Sequence, residues 1–199
     1  MAYLSESQLA AMGFRALGRN VRISDRAAIH DAHRIEIGDH TRIDDFCVLS
    51  GRLVLGRNVH VAVFCNLAGG EPGITVGDFA GFAYGCQVFA QSDDYSGRTM
   101  TNPTVPARFK CETKLPVVVG RHCIVGTGAV VMPGVTLAEG TSVGALTLVT
   151  KSTEPWTMVF GVPARRLKAR RRDLLEREQA YLASEQDPAA APDTAQEPT

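Results

Sequence analysis

Residues 119–153 read VGRHCIVGTGAVVMPGVTLAEGTSVGALTLVTKST, and they fall into blocks of six. Steps of six from Val119 meet Val125, Val131, Leu137, Val143 and Val149, all aliphatic. The fifth residues are Cys123, Ala129, Val135, Thr141, Thr147 and Thr153, all small or β-branched. The second residues include Gly120, Gly126, Ala138 and Gly144. A sustained short period of this kind is the mark of a solenoid. One block makes a short strand and a bend. Three blocks close a triangular coil of ~18 residues, and coils stack through backbone hydrogen bonds. The first residue of each block points inward and fills the prism. The fifth also points inward, near a corner that admits only small side chains. The expected fold is all-β, a parallel β-helix.

The same frame runs earlier in the chain. Ile37, Ile43, Leu49, Leu55, Val61 and Leu67 step by six, with fifth residues Thr41, Cys47, Leu53, Val59, Cys65 and Glu71. Only the last fails the pattern. Val76, Phe82 and Val88 continue it after a three-residue shift, and Ile23 and Ile29 belong to a frame offset by two. The register puts Cys47, Cys65, Cys86 and Cys123 at fifth positions, where free cysteine acts as a small buried hydrophobe. Cys111 falls outside the frame and is the one candidate exposed thiol. An odd cysteine count without CxxC spacing argues against a disulfide framework.

Two segments interrupt the repeat. Residues 68–75 (AGGEPGIT) read as a short glycine-rich excursion, and residues 91–118 as a long loop. A structureless stretch that long inside a compact domain is usually functional. The N-terminal SESQLAAMG reads as a short helix capped by Ser5 or Ser7. A helix is expected over 164–184, with Leu167, Leu174, Leu175 and Leu182 as its apolar stripe. The expected organisation is a helical cap over 1–20, a β-helix domain over 21–163 carrying loop 91–118, the helix over 164–184, and a Pro/Ala-rich disordered tail over 185–199.

Composition excludes some functions. Lys plus Arg and Asp plus Glu both number 21, a net charge of zero, which gives no reason to expect a nucleic-acid partner. No apolar run approaches the ~18 residues of a membrane span, so no membrane insertion is expected. The N-terminus lacks a signal peptide's charged start and apolar run. A cytoplasmic protein is expected.

With the repeat and the ending KSTEPWTMVFGVPARRLK in view, the chain resembles the hexapeptide-repeat acetyltransferases over about Ile37 to Lys168. Within that family it is most similar to the galactoside, maltose and lipopolysaccharide-sugar O-acetyltransferases. The resemblance implies a left-handed coil, a homotrimer, acetyl-CoA as co-substrate and an active site between subunits. It places Gly126 and Thr127 of VGTG, Gly144 and Ala145 of VGAL, and Thr150 and Lys151 of VTK along the CoA edge. Arg165 of GVPAR and Lys168 match positions near the CoA phosphates. Small residues let a flexible arm approach the backbone, and basic side chains pair with phosphate.

Relatives carry a catalytic histidine in a loop motif beginning T-H-P. Here that stretch reads Gln91-Ser92-Asp93-Asp94-Tyr95, and Asp93 falls where the histidine would be. An ordinary Asp titrates at ~3.9, while a general base works best near the operating pH. Three ways out follow. Burial raises the pKa of Asp93 or Asp94; an Asp orients a histidine; or the acceptor is an amine, which asks less of a base. The histidine candidate is His60, which ends its block at a prism corner. Block counting puts His60 and Asp93 at different corners, so they meet only across a subunit boundary. His122 faces outward, where it is placed to line an interface, and His30, His33 and His40 read as surface. Tyr95, Asn102 and Arg108 of the long loop are candidate sugar contacts.

The leading expectation is transfer of acetyl from acetyl-CoA to a sugar hydroxyl in surface polysaccharide or lipopolysaccharide synthesis. The alternative is N-acetylation of a nucleotide-linked amino sugar. A γ-type carbonic anhydrase on the same prism needs three histidines on zinc; no close histidine pair with a third is present, and no metal is expected. A non-catalytic β-helix has no need of the VTK and GVPAR ending or of loop 91–118.

Overall fold

The computed structural model describes residues 2–186. The chain winds as a parallel β-solenoid of about seven coils with three faces. On the first face Leu17, Ile37, Leu55, Val76, Val119 and Leu137 pair in succession. On the second the series is Ile23, Ile43, Val61, Phe82, Val125, Val143 and Val159. On the third it is Ile29, Leu49, Leu67, Val88, Val131 and Val149. These inward residues, except the exposed Leu17 of the first coil, form one continuous core with the apolar fifth-position residues between them. Cys47, Cys65, Cys86 and Cys123 are buried in it and Cys111 is exposed. Burial pushes the Cys123 thiol up to about 11, so it stays protonated and inert.

The irregular spacings have local causes. Ile23 and Ile29 pair twenty residues on, with Ile43 and Leu49, because a 3-10 turn at Ala32–Arg34 lengthens the first coil. Residues 68–75 do not loop out, contrary to the sequence reading. They lie within an 11-residue strand, Asn66–Val76, that rounds the corner from the third face to the first and pairs with Val48–Leu55. Register shifts at Ser50/Gly51 and Gly51/Leu53 absorb the extra residues. A bulge here costs less than a loop, because the backbone keeps its ladder partners.

Each corner carries a column of residues in the left-handed region. Between first and second faces these are Asn20, His40, Asn58, Phe79, His122, Gly140 and Trp156. Between second and third they are Phe46, Phe64, Gly85, Gly128 and Leu146. Most are not glycine, so the stacked coils, not local preference, hold these turns.

At the N-terminus helix α1 (Glu6–Ala11) is capped by Ser5, whose side chain accepts from the Gln8 amide at 3.3 Å, and buries Leu9 on the core. At the C-terminus the expected helix over 164–184 is corrected. Residues Arg165–Ala169 form a strand antiparallel to Thr157–Phe160, and helix α2 spans Leu174–Gln186. Leu167, read as part of an apolar stripe, is 63% exposed on that strand. The tail expected from 185 lies, beyond Gln186, outside the described residues.

Candidate active site

Loop 91–118 leaves the third face after Gln87–Phe89. Its base is closed by an antiparallel pair, Gln91–Ser92 against Thr113–Lys114, and by the Leu115 amide donating to the Ala90 carbonyl at 3.0 Å. Inside it lies a cleft of about 560 Å³ lined by Asp93, Asp94, Tyr95, Thr99 and Asn102 among others. The structure therefore gathers Asp93, Asp94, Tyr95 and Asn102. Arg108 does not line the cleft; its guanidinium lies 4.6 Å from the Phe109 ring centroid.

The two adjacent aspartates differ sharply. Asp94 accepts from the Ser96 amide at 2.9 Å, the Thr99 amide at 3.1 Å and the Thr99 hydroxyl at 3.2 Å. The Ser96 and Thr99 donors hold its carboxyl down at about 2. It staples the loop. Asp93 accepts one bond, from the Asn102 amide at 3.2 Å on Oδ2. Its Oδ1 has no partner among the described residues. Asp93 is half-buried on the cleft wall.

The corner between second and third faces holds a second feature. Gly126-Thr127 stacks on Gly144-Ala145, with the Gly126 amide donating to the Val143 carbonyl at 2.8 Å and the Leu146 amide to Thr127 at 2.8 Å. A Cβ on Gly126 would stand 2.6 Å from the Ala145 nitrogen, and one on Gly144 would stand 2.6 Å from the Phe160 ring. The amides of Thr127 and Ala145 donate to nothing among the described residues. Unpaired N–H groups in a column one coil apart form an edge ready to bind carbonyl oxygens. Arg165 pairs with Phe160 at the foot of this column, exposed. Lys168 sits opposite Met158, further along the same strand. Thr150 and Lys151 follow Leu148–Val149 and lie at the next corner, away from the two glycines.

His60 stands apart from the loop. It lies on the second face, in the strand His60–Val61, and its Nε2 is 2.8 Å from Asp44 Oδ2. The Arg42 Nε donates to the other Asp44 oxygen at 2.6 Å. Asp44 is buried, and sequence reasoning missed it. The signal was there: a residue and its counterpart one coil later are neighbours, so Arg42 faces His60 and Asp44 lies diagonally beside it. His60 is thus on a face and not at the corner expected from the block count; Asp93 lies in the loop that leaves the third face, and the two line no common cavity.

His122 faces out of the prism but is covered by α2 rather than exposed. Its Nε2 lies 3.0 Å from Glu178, which also binds Arg121. Phe79 stacks on the His122 ring, with centroids 5.4 Å apart. Tyr181 accepts from Asn58 Nδ2 at 3.1 Å, and Glu185 reaches Arg57 at 2.5 Å and His40 at 3.4 Å. The polar atoms of this seam are spent on fastening the helix. Among the described residues no group of three or more His, Cys, Asp or Glu is placed to hold a metal. No helix among them is long and apolar enough to cross a membrane.

A triangular prism with an edge of free amides and a polar loop cleft has the architecture of acyl-transfer enzymes, and comparison with known proteins agrees. No family model matches the chain. It is 38% identical over 187 residues to a dTDP-4-amino-4,6-dideoxy-D-glucose acyltransferase of Escherichia coli, covering 92% of this chain and 97% of the relative. It superposes with a TM-score of 0.92 on AntD, an N-acyltransferase from Bacillus cereus in complex with dTDP and 3-hydroxybutyryl-CoA, at 38% identity, covering 93% of this chain and 98% of that one. A point mutant of AntD in complex with dTDP-4-amino-4,6-dideoxyglucose and coenzyme A gives a TM-score of 0.91 at 39% identity, over 92% and 98% of the two chains. The chain belongs to the hexapeptide-repeat acyltransferases, the left-handed β-helix enzymes, and is itself an acyltransferase.

Proposed function

We propose that this enzyme transfers an acyl group from acyl-CoA to the amino group of a dTDP-linked 4-amino-4,6-dideoxy sugar. The observation that carries the reading is its likeness, over nearly the whole of both chains, to a dTDP-amino-sugar acyltransferase. Of the two expectations drawn from the sequence, this likeness supports N-acylation over transfer to a sugar hydroxyl, which the sequence reading put first. A chemical argument supports it as well. By the resemblance Asp93 falls where O-acetylating relatives keep histidine; it lines the cleft, and its Oδ1 has no partner among the described residues.

A hydroxyl has to lose its proton as it attacks, which demands a base near neutral pKa. An uncharged amine attacks unaided. Its nitrogen becomes cationic as the C–N bond forms, so its proton turns acidic when it has to leave. An ordinary carboxylate suffices to receive it. In this reading Asp93 Oδ1 orients the amine and takes that proton. The thioester C–S bond breaks, the CoA sulfur leaves as thiolate and a proton from solvent neutralises it. Asp94 holds the loop and takes no part in proton transfer. Tyr95 and Asn102 face the sugar. Gly126, Thr127, Gly144 and Ala145 cradle the pantetheine arm, with Arg165 and Lys168 toward the phosphates; Thr150 and Lys151, at another corner, join this site only from a neighbouring chain. The glycine cradle and the free Thr127 and Ala145 amides fit such an arm.

The edge and the loop occupy different corners of one prism, so we place the active site between subunits of a homotrimer. His60, oriented by Asp44, reaches the site only from a neighbouring chain. The product, an acylated activated sugar, suits glycosyl transfer into surface polysaccharide such as lipopolysaccharide. Mass spectrometry with acetyl-CoA and dTDP-4-amino-4,6-dideoxyglucose tests the reading. Acetylation of the amine is expected. Acetylation of dTDP-glucose but not of the amino sugar overturns it.

A further inference from the structure

The edge between second and third faces changes character along its length. In the two coils nearest the C-terminal strand its turns are Gly144-Ala145-Leu146 and Gly126-Thr127-Gly128. The next turn is Ala83-Tyr84-Gly85, stacked directly on them: the Ala83 amide donates to Val125 at 2.8 Å and the Gly128 amide to the Tyr84 carbonyl at 2.9 Å. The Tyr84 amide, like those of Thr127 and Ala145, has no partner among the described residues. One coil further stands Phe64, then Phe46, their rings stacked 5.2 Å apart. Tyr84 is 62% exposed and Phe64 is 60% exposed. An edge of glycine, alanine and threonine, with Leu146 the one large apolar side chain and 72% exposed, therefore gives way to bulky rings: Tyr84 first, then Phe64 and Phe46, which stand one turn position on, in the place of Gly85.

That is also the level of the chemistry. Asp93 lies four residues beyond Phe89, in the strand Gln87–Phe89, which directly follows the Tyr84 turn. In the homotrimer proposed above, a threefold axis parallel to the prism would align the coil levels of all subunits and bring the Asp93 cleft of one chain to the Tyr84 level of its neighbour. A thioester carbonyl held at that level would direct its acyl chain toward Tyr84 and Phe64.

We propose that Tyr84 is the residue that sets donor specificity, its ring closing the far end of the edge so that short acyl groups, acetyl first, are accepted and longer ones rejected. The proposal rests on the acyl-CoA reading above and adds to it the length of the acyl group. Each methylene that fails to fit a closed apolar pocket costs on the order of 10-fold in kcat/KM.

The test compares acetyl-, butyryl-, 3-hydroxybutyryl- and hexanoyl-CoA with wild type, Tyr84→Ala and Tyr84→Phe. The quantity read is the ratio of kcat/KM between donors, not the acetyl rate. Wild type should prefer acetyl over butyryl by ~10-fold or more, Tyr84→Ala should shrink that ratio at least ~10-fold, and Tyr84→Phe should keep it. Equal use of butyryl and acetyl by wild type, or an unchanged ratio in Tyr84→Ala, overturns the proposal. So does a Tyr84→Phe ratio that matches Tyr84→Ala, since the hydroxyl rather than the bulk would then be responsible. If no amino sugar is acylated, the function proposed above fails separately. Calorimetric affinities for acetyl-CoA and butyryl-CoA then decide the same ratio without turnover.

Discussion

Asp93 and Asp94 are neighbours of one chemical type with opposite surroundings. Asp94 spends its oxygens on Ser96 and Thr99, while Asp93 keeps one free. Replacing Asp93 with Asn should lower kcat by about 10²–10⁴-fold, the usual worth of a positioned proton acceptor, with thermal stability unchanged. A kinetic and melting comparison checks this; a loss below 10-fold in kcat refutes the role. Asp94→Asn should instead loosen the loop, seen as faster proteolytic nicking within 93–105. The pH sign is fixed by the lowered carboxyl. The loop's bonds to Asp94 are fully present above the ordinary value of 3.8 and are lost as pH falls through about 2. A carboxyl NMR titration of Asp94 should show that low midpoint. The sequence singled out both residues yet did not separate them, because the difference lies in a turn whose donors only the folded loop brings round. Gly126 and Gly144 were legible from their place in the repeat; the free amides beside them were not.

At the scale of elements, helix α2 is expected from the sequence, with its start placed too early. Of the expected stripe, Leu174, Leu175 and Leu182 are half-buried. The helix is also held by Glu178, Tyr181 and Glu185 on residues from three different coils, a long-range arrangement with no local signature. The Glu178 and His122 side chains are 7% and 6% exposed. Glu178→Ala leaves a buried histidine without its acceptor and should cost ~3 kcal/mol, the scale for breaking one partner of a buried pair. Trp156, the sole tryptophan, lies 6.2 Å from the His122 ring, so its fluorescence reports the docking. Burial alone would raise the Glu178 carboxyl, but Arg121 and His122 hold it below its ordinary 4.5. Its contribution is complete above 4.5 and fades as pH falls through the lowered value. The Trp156 signal of wild type should change in that acid range, and that of Glu178→Ala should not. An identical acid transition in both would remove Glu178 from the account.

For the whole molecule, the six-residue frame was enough to give the three faces, the core and the place of four cysteines. It erred where the period slipped: the three extra residues near Pro72 read as a loop and proved to be strand. How subunits assemble is not written in a repeat that looks inward, since the outer surface obeys no period. If the site joins two chains, Asp93→Asn subunits mixed with Gly144→Trp subunits, each inactive alone, should regain activity after refolding together. Continued inactivity of the mixed oligomer would place the whole site in one chain.

The strand Arg165–Ala169 has a meaning for solubility. A parallel solenoid is its own template, because the last coil shows the next molecule a ready row of hydrogen-bonding groups. Here the chain doubles back, reverses direction and covers the second-face part of that row with an exposed segment bearing Arg165, Arg166 and Lys168. The reversed polarity spoils the match to an incoming coil. A version ending at Phe160 should lose this protection and grow into thioflavin-binding filaments. The reversing strand is thus what keeps a structure built for indefinite repetition a molecule of fixed length.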